Sequence, residues 1–340
     1  SLAKGVPPRY DGHCLHLKPE DERALAAAGR PASVRFKVEA RTVEFEDLVK
    51  GRMSFDGQGI GDFIILRSDG LAPYNFAVVV DDRLMEITHV IRGEDHLTNT
   101  SRQLILYKAL GFSAPKFAHL PMILGPDRAP LSKRHGVTAI AHFREEGFLP
   151  EALVNYLALL GWTAEDGQEI FTLEELSQRF SLGRVSRSSA VFDFEKLKWV
   201  NRAYMKGLHG RRALEVAGPF LQKSGINLEG KPEPWLMAAL EAVWEEVDTL
   251  SQLPDRLRIF FDEGWIMEPE AERLLAKEQS RKVVLGLADE LKAVEEVTPE
   301  NYGSILSRLA KRVGLSGKNL YMPLRAALTG KTRGPELEKV

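Results

Sequence analysis

The rhythm of apolar and polar positions changes twice along this chain. From residue 18 to residue 70 the segments are short. "KPEDERALAAAG" has the apolar period of one helix closed by Gly29, while "SVRFKVE", "RTVEFEDLV" and "GDFIILRSDG" alternate and predict strands joined by glycine turns. A helical period follows in "YNFAVVVDDRLM", then a β-branched run "EITHVIRG", an amphipathic helix "TNTSRQLILYKALGF" and an apolar strand "FAHLPMIL". Strand, helix and strand at that spacing predict a parallel βαβ crossover. In such sheets ligands gather beyond the carboxyl ends of the strands, where "VIRGEDH" and "GPDRAPLSKRHG" stand. Past residue 138 the pattern is wholly helical. "TAIAHFREEGF", "PEALVNYLALLGW", "TLEELSQRF" and "DFEKLKWVNRAYMKGL" form one group, and "EPWLMAALEAVWEEV", "LPDRLRIFF", "EAERLLAKEQSRKVVLGLADELKAV" and "YGSILSRLAKRVG" a second. A linker is expected at 206–212, and no internal repeat or low-complexity tract interrupts the pattern.

Composition narrows the class. With 340 residues and 44% hydrophobic content, the chain can bury two or three domain cores. A net charge of -2 supplies no basic field, so a nucleic acid would have to be held by local clusters of Lys and Arg. The single cysteine, Cys14, excludes an intramolecular disulfide, and no uncharged apolar stretch is long enough to span a membrane. A soluble cytoplasmic protein is expected. "SLAKGVPPRYDG" carries neither an initiator Met nor an apolar leader, so the chain is read as starting inside something longer.

Two loops carry candidate chemistry. In "GPDRAPLSKRHG" a glycine-flanked loop after a buried strand presents Lys133 and Arg134, a common way to grip polyphosphate; a solvated surface loop is the alternative. In "VIRGEDHLTNTSRQ", Arg92 emerges at a strand end, where its guanidinium could hold a carboxylate in a two-pronged fork; a surface ion-pair set capping the next helix is the alternative. His119, inside an apolar strand, reads as a satisfied core residue, and His135 and His142 as ordinary loop and helix histidines.

"LAPYNFAVVVDDRLMEITHVIRGEDHLTNTSRQLILYKALGF", "LSKRHG", "EGFLPEALVNYLALLGW", "VFDFEKLKWVN" and "LYMPLRAALTGKTRGPEL" together resemble class I aminoacyl-tRNA synthetases, specifically the bacterial glutamyl-tRNA synthetases. The resemblance implies an α/β class I catalytic core with a partial Rossmann-like parallel sheet, an α+β acceptor-binding insertion and an all-α anticodon-binding region. The corresponding divisions are 1–76 for tRNA acceptor binding, 77–137 for the second half of the Rossmann-like domain, 138–209 for a helical stem-contact region and 210–340 for a shortened anticodon-binding domain. It implies glutamate–tRNA ligase activity with ATP and Mg2+. The partners would be L-glutamate and glutamate tRNA, and the chain a monomer. Lys133 matches the second lysine of the "KMSKS" signature, with Leu131, Ser132 and Arg134 beside it. Asp95 and His96 fall where the family lines adenosine, and Tyr74 and Arg92 where it faces glutamate.

Two departures matter. Pro130 stands where the signature begins with lysine, with Arg128 as a candidate substitute charge. No "HIGH"-type motif is present, the nearest pattern being "HCLH" at 13–16. The expectation is a chain lacking the first half of its nucleotide site and incomplete for catalysis by itself. Cys14 and His16 resemble half of a Zn2+ site in some bacterial members, whose other half would be a Cys-x-Cys pair. Two other functions remain open: a tRNA-binding fragment without chemistry, and an enzyme that also charges glutamine tRNA. A glutamyl-queuosine synthetase is disfavoured by the anticodon-type region, and a glutaminyl enzyme by its helices.

Overall fold

The structure, a computed structural model, describes residues 10, 12–39, 42–132, 139–261, 266–334 and 336–338. It divides into two compact units. One comprises Ser1–Leu131, Ala158–Glu169 and Glu174–Phe192; the other comprises Ser132–Leu157, Ile170–Leu173 and Asp193–Val340.

The first unit opens with α1 (Pro19–Ala27), started by Pro19 and three acidic residues in its first turn. Strands β1 (Val34–Phe36), β2 (Thr42–Asp47), β3 (Gly51–Asp56) and β4 (Phe63–Leu66) follow, with the single turn α2 (Gly57–Ile60) before β4. β3 is absent from the strands that the pattern predicts. Its alternation of half-buried and exposed residues is masked by the turn that starts it. Asp47 makes that turn, its Oδ1 accepting from the Val49 N–H at 3.0 Å and the Lys50 N–H at 2.8 Å, and Gly51 completes it at φ 78.

The expected crossover follows. α3 (Tyr74–Leu84) leads to β5 (His89–Gly93), α4 (Leu97–Ala109) and β6 (Lys116–Leu120), with β5 and β6 parallel in register from His89↔Lys116 to Gly93↔Leu120. The sheet order is β3-β2-β6-β5, so one sheet joins strands from both sides of residue 76. Its core is Val79 of α3, Leu106 and Tyr107 of α4 and Phe117 of β6, with Phe36, Phe45 and Phe63 packed against them. "FAHLPMIL" is two strands, not one. Pro121 cannot donate to a ladder, and β7 (Ile123–Leu124) beyond it pairs in parallel with β8 (Ala190–Val191), a strand inside the stretch expected to be wholly helical.

The remaining helices are α5 (Ile140–Glu145), α6 (Pro150–Leu159), α7 (Leu173–Arg179), α8 (Phe194–Lys206), α9 (Gly210–Lys223), α10 (Glu233–Trp244), α11 (Leu253–Leu257), α12 (Pro269–Leu275), α13 (Glu278–Lys292), α14 (Pro299–Val313) and α15 (Lys318–Thr329). The expected linker reduces to residues 207–209. Within the second unit, fully buried Asn201 accepts from the Leu149 N–H at 2.8 Å and donates to the Asp248 carbonyl at 2.7 Å. The run "EAERLLAKEQSRKVVLGLADELKAV" is α12 and α13, broken at an extended Lys277. Buried Ala271 and Ser280 would lie about two and a half turns apart on a continuous helix, on opposite faces. The break lets both turn inward. Val283, Leu306, Leu309, Leu320, Leu324 and Leu337 form the core there.

Candidate active site

Arg92, at the end of β5, is held on nearly every side. Its Nη2 donates to Thr100 Oγ1 at 2.6 Å and Gln103 Oε1 at 2.8 Å, its Nη1 to the Tyr74 hydroxyl at 3.2 Å, and its Nε to His119 Nε2 at 3.3 Å. A guanidinium has five N–H donors, so the remaining one lies on Nη1, beside a Tyr74 that is 49% exposed. Among the described residues no carboxylate pairs directly with Arg92. A half-buried cation so arranged has a donor left to offer an anion. The two-pronged fork expected from the sequence is not on offer, because Thr100 and Gln103 occupy Nη2; one guanidinium N–H remains, beside the exposed phenol of Tyr74.

Behind Arg92 lie two fully buried ionisable groups, which sequence reasoning foresaw only as a satisfied histidine. Asp47 is 2% exposed and His119 0%. Asp47 Oδ2 accepts from His119 Nδ1 at 2.6 Å, and Asp47 Oδ1 accepts from the His119 backbone N–H at 3.2 Å. Burial pushes the Asp47 carboxyl upward, but N–H groups of Lys50, His119 and Val49 outweigh it and hold the carboxyl below its ordinary range. Burial depresses the His119 imidazole against the pull of Asp47, with Arg92 and His96 adding to the depression. Facing a carboxylate, Nδ1 carries the proton, and Nε2 is an acceptor for Arg92 Nε.

A closed circuit of side chains surrounds the outward face. Gln103 Nε2 donates to Asn75 Oδ1 at 3.0 Å, Asn75 Nδ2 to Asn99 Oδ1 at 3.3 Å, and Asn99 Nδ2 to His96 Nδ1 at 3.3 Å. The Tyr74 hydroxyl lies 3.5 Å from the same Nδ1 and returns the circuit to Arg92. His96 thus accepts at Nδ1 and directs Nε2 toward Asp95 Oδ2, 3.8 Å away. Gly93 makes room for Asp95: a Cβ at that position would lie 2.4 Å from Asp95 Oδ1. Thr100 and Gln103 were missed in the sequence. Their signal is two polar residues one turn apart on the buried face of α4.

The neighbouring loops are tied to the same strand ends. Lys50 Nζ donates to Glu94 Oε2 at 2.5 Å and to the Arg187 carbonyl at 2.8 Å, while Glu94 Oε1 accepts from the Met122 N–H at 3.1 Å. The Lys50 ammonium holds the Glu94 carboxyl below its usual range, against burial. After β7 the chain folds back. The Leu131 N–H donates to the Ile123 carbonyl at 2.9 Å, and Arg128 adopts a left-handed φ of 60. Pro130 bridges to Leu124, and Leu131 and Ser132 follow it. Lys133 and Arg134, the cations expected at ATP phosphates, lie outside the described residues.

Cys14 is exposed and shares a short 3-10 turn with His16. Zinc sites take four ligands, and among the described residues no group of three or more His, Cys, Asp or Glu could hold a metal. The residues described therefore do not fit a resident zinc. Among them, too, no helix is long and apolar enough to cross a membrane.

Residues 2–199 match the family of class I tRNA synthetases (E and Q), catalytic domain, and residues 212–340 an anticodon binding domain. A glutamate–tRNA ligase of Carboxydothermus hydrogenoformans is 50% identical over 343 aligned positions, covering 100% of this chain and 72% of that protein. The Aquifex aeolicus glutamate–tRNA ligase is 46% identical, covering 97% and 70%. A crystal structure of the Elizabethkingia meningosepticum glutamate tRNA ligase in complex with its amino acid superposes with a TM-score of 0.85 at 28% identity, over 99% of this chain and 72% of that one. The parallel crossover, the helices that follow it in sequence and these similarities agree: the chain belongs to the class I tRNA synthetases, among the glutamate–tRNA ligases.

Proposed function

We propose that this chain serves the ATP-dependent joining of glutamate to tRNA, as a cytoplasmic monomer. In the first step an oxygen of glutamate's α-carboxylate attacks the α-phosphorus of ATP, forming glutamyl-adenylate and releasing pyrophosphate. In the second, a hydroxyl of the tRNA's terminal adenosine attacks the acyl carbon and AMP leaves. The protein's part is positioning and charge stabilisation, with no nucleophile of its own. Arg92 and Tyr74 receive a glutamate carboxylate. Asp95 and His96 line adenosine, and Lys133, flanked by Leu131, Ser132 and Arg134, meets the phosphates. ATP enters with Mg2+, and no step is assigned to that ion or to zinc, for which Cys14 and His16 would be two ligands of four. Segment 1–76 would take the acceptor end, 77–137 the nucleotide, 138–209 the stem and 210–340 the anticodon arm.

The observation that carries this reading is Arg92: half-buried, without a carboxylate partner among the described residues, and with its outward N–H beside an exposed phenol. Glutamate-dependent exchange of pyrophosphate into ATP tests it, alongside tRNA binding over a salt series. Exchange supports the ligase reading. Salt-dependent tRNA binding without exchange assigns the chain as a tRNA-binding module, and neither activity overturns both. Charging of glutamine tRNA beside glutamate tRNA would identify a non-discriminating enzyme.

A further inference from the structure

We propose that Asp47 is a positioning residue for Arg92, acting through the proton position on His119; the inference rests on the reading of Arg92 as a glutamate-binding residue. His119 Nε2 has two neighbours of opposite demand. Arg92 Nε, 3.3 Å away, can only donate, so it needs an unprotonated Nε2. Thr100 Oγ1, 2.8 Å away, can accept, so it would equally satisfy a protonated one. The Arg92 contact thus calls for the proton on Nδ1, while Thr100, whose hydroxyl can instead donate to the His96 carbonyl at 3.2 Å, does not enforce it. The choice is made at the other nitrogen, where the Asp47 carboxylate at 2.6 Å cannot donate and draws the proton to Nδ1. With the proton there, Nε2 accepts from Arg92 Nε and fixes the plane of the guanidinium. Thr100 and Gln103 then set its rotation from Nη2, and the remaining Nη1 N–H faces the phenol and the outward side. Asp47 touches nothing on that side. Its effect reaches the anion site through one imidazole.

Asp47→Asn is the discriminating change. The retained oxygen can still accept the Val49, Lys50 and His119 backbone N–H groups, so the turn after β2 persists. The new NH2 replaces the oxygen facing Nδ1 and demands an acceptor there. The His119 proton moves to Nε2, which turns to Thr100, and Arg92 Nε loses its acceptor. His119→Asn is the second variant. Its amide nitrogen stands near the place of Nδ1 and keeps Asp47 paired, but no atom reaches Arg92.

The chain, with 15N-labelled histidine, is measured by long-range 1H–15N correlation, thermal melting and calorimetric titration with L-glutamate. The unsubstituted chain is expected to show His119 unprotonated at Nε2, and Asp47→Asn to show it protonated there. Each variant, with its melting transition retained, should bind glutamate about tenfold more weakly, the size of one lost hydrogen bond to a charged group. The double variant should be no weaker than either alone. An unchanged tautomer in Asp47→Asn, or unchanged glutamate affinity in both variants, overturns the proposal. If Asp47→Asn does not fold, the affinity of His119→Asn decides. If the unsubstituted chain binds no glutamate, the reading of the Arg92 site fails, while the imidazole spectrum still accepts or rejects the control of Nε2 by Asp47.

Discussion

Gly147 and Gly225 share a left-handed φ and differ in their surroundings, so replacing each with alanine separates strain from collision. Both lie in the helical unit, at φ 81 and φ 78. A Cβ on Gly225 would meet nothing within 4 Å, while one on Gly147 would lie 2.6 Å from Ser251 N, 2.7 Å from Leu250 N and 2.8 Å from Leu250 Cβ. The left-handed conformation costs an alanine about 1 kcal/mol at either site, and the loss of unfolded-state freedom is common to both. Gly147→Ala adds an overlap with backbone, which cannot rotate aside, worth about 1–3 kcal/mol. The Leu250 N–H donates to the Gly147 carbonyl at 3.1 Å, so relief by separation would weaken that bond as well. Gly225→Ala should therefore cost about 1 kcal/mol and Gly147→Ala about 2–4 kcal/mol. Urea unfolding followed by far-ultraviolet circular dichroism measures both. Losses that agree within about 0.5 kcal/mol would refute the steric account of Gly147.

Gly93→Ala should do the reverse, sparing stability while changing the site. Gly93 has φ -67, which alanine accepts, and the Cβ would crowd only the end of the exposed Asp95 side chain, with Met122 Sδ at an ordinary 3.9 Å, so unfolding should shift by less than about 1 kcal/mol while ATP affinity changes as Asp95 rotates away. Unaltered ATP binding would remove Asp95 from the adenosine site. Tyr74→Phe deletes the acceptor of Arg92 Nη1 and should weaken glutamate binding roughly tenfold with little effect on melting, as calorimetry would show. Glu94 titrates below its ordinary 4.5 in the folded protein, so its stabilising contribution is complete above that pH and is lost as the pH falls through the lower folded value. Glu94→Gln should flatten the acid limb of a stability profile there and leave the neutral region's slope unchanged; an identical acid limb would contradict the Lys50–Glu94 pairing.

The crossover β5–α4–β6 was legible because its periods are long and unmixed, and Arg92 because it ends a β-branched run. β3 was not, since its alternation begins inside a turn built by the Asp47 side chain, an interaction no periodicity encodes. Pro121 was visible, but that β7 finds β8 beyond it depends on a pairing between residues 67 positions apart, Ile123 with Ala190 and Leu124 with Val191. Of the site, Tyr74, Arg92 and His96 were named in advance and lie together. Asp47 was unrecognisable as their support because it acts through His119, 72 residues further along, and reads in sequence as the polar end of a strand. The expected fork on Arg92 failed for a related reason: Thr100 and Gln103 satisfy its inner edge from the helix that follows.

One oxygen of Asp47 receives the amide protons of Val49, Lys50 and His119 at 3.0, 2.8 and 3.2 Å. Those amides belong to a hairpin turn and to a neighbouring parallel strand, yet none can be released by withdrawal of that carboxylate without releasing the others. Their hydrogen exchange is therefore tied to a common opening, and the moment that opens the turn also frees the ring behind Arg92. The surroundings of Arg92 acquire their shape only when the ends of the two central strands, β2 and β6, have come together.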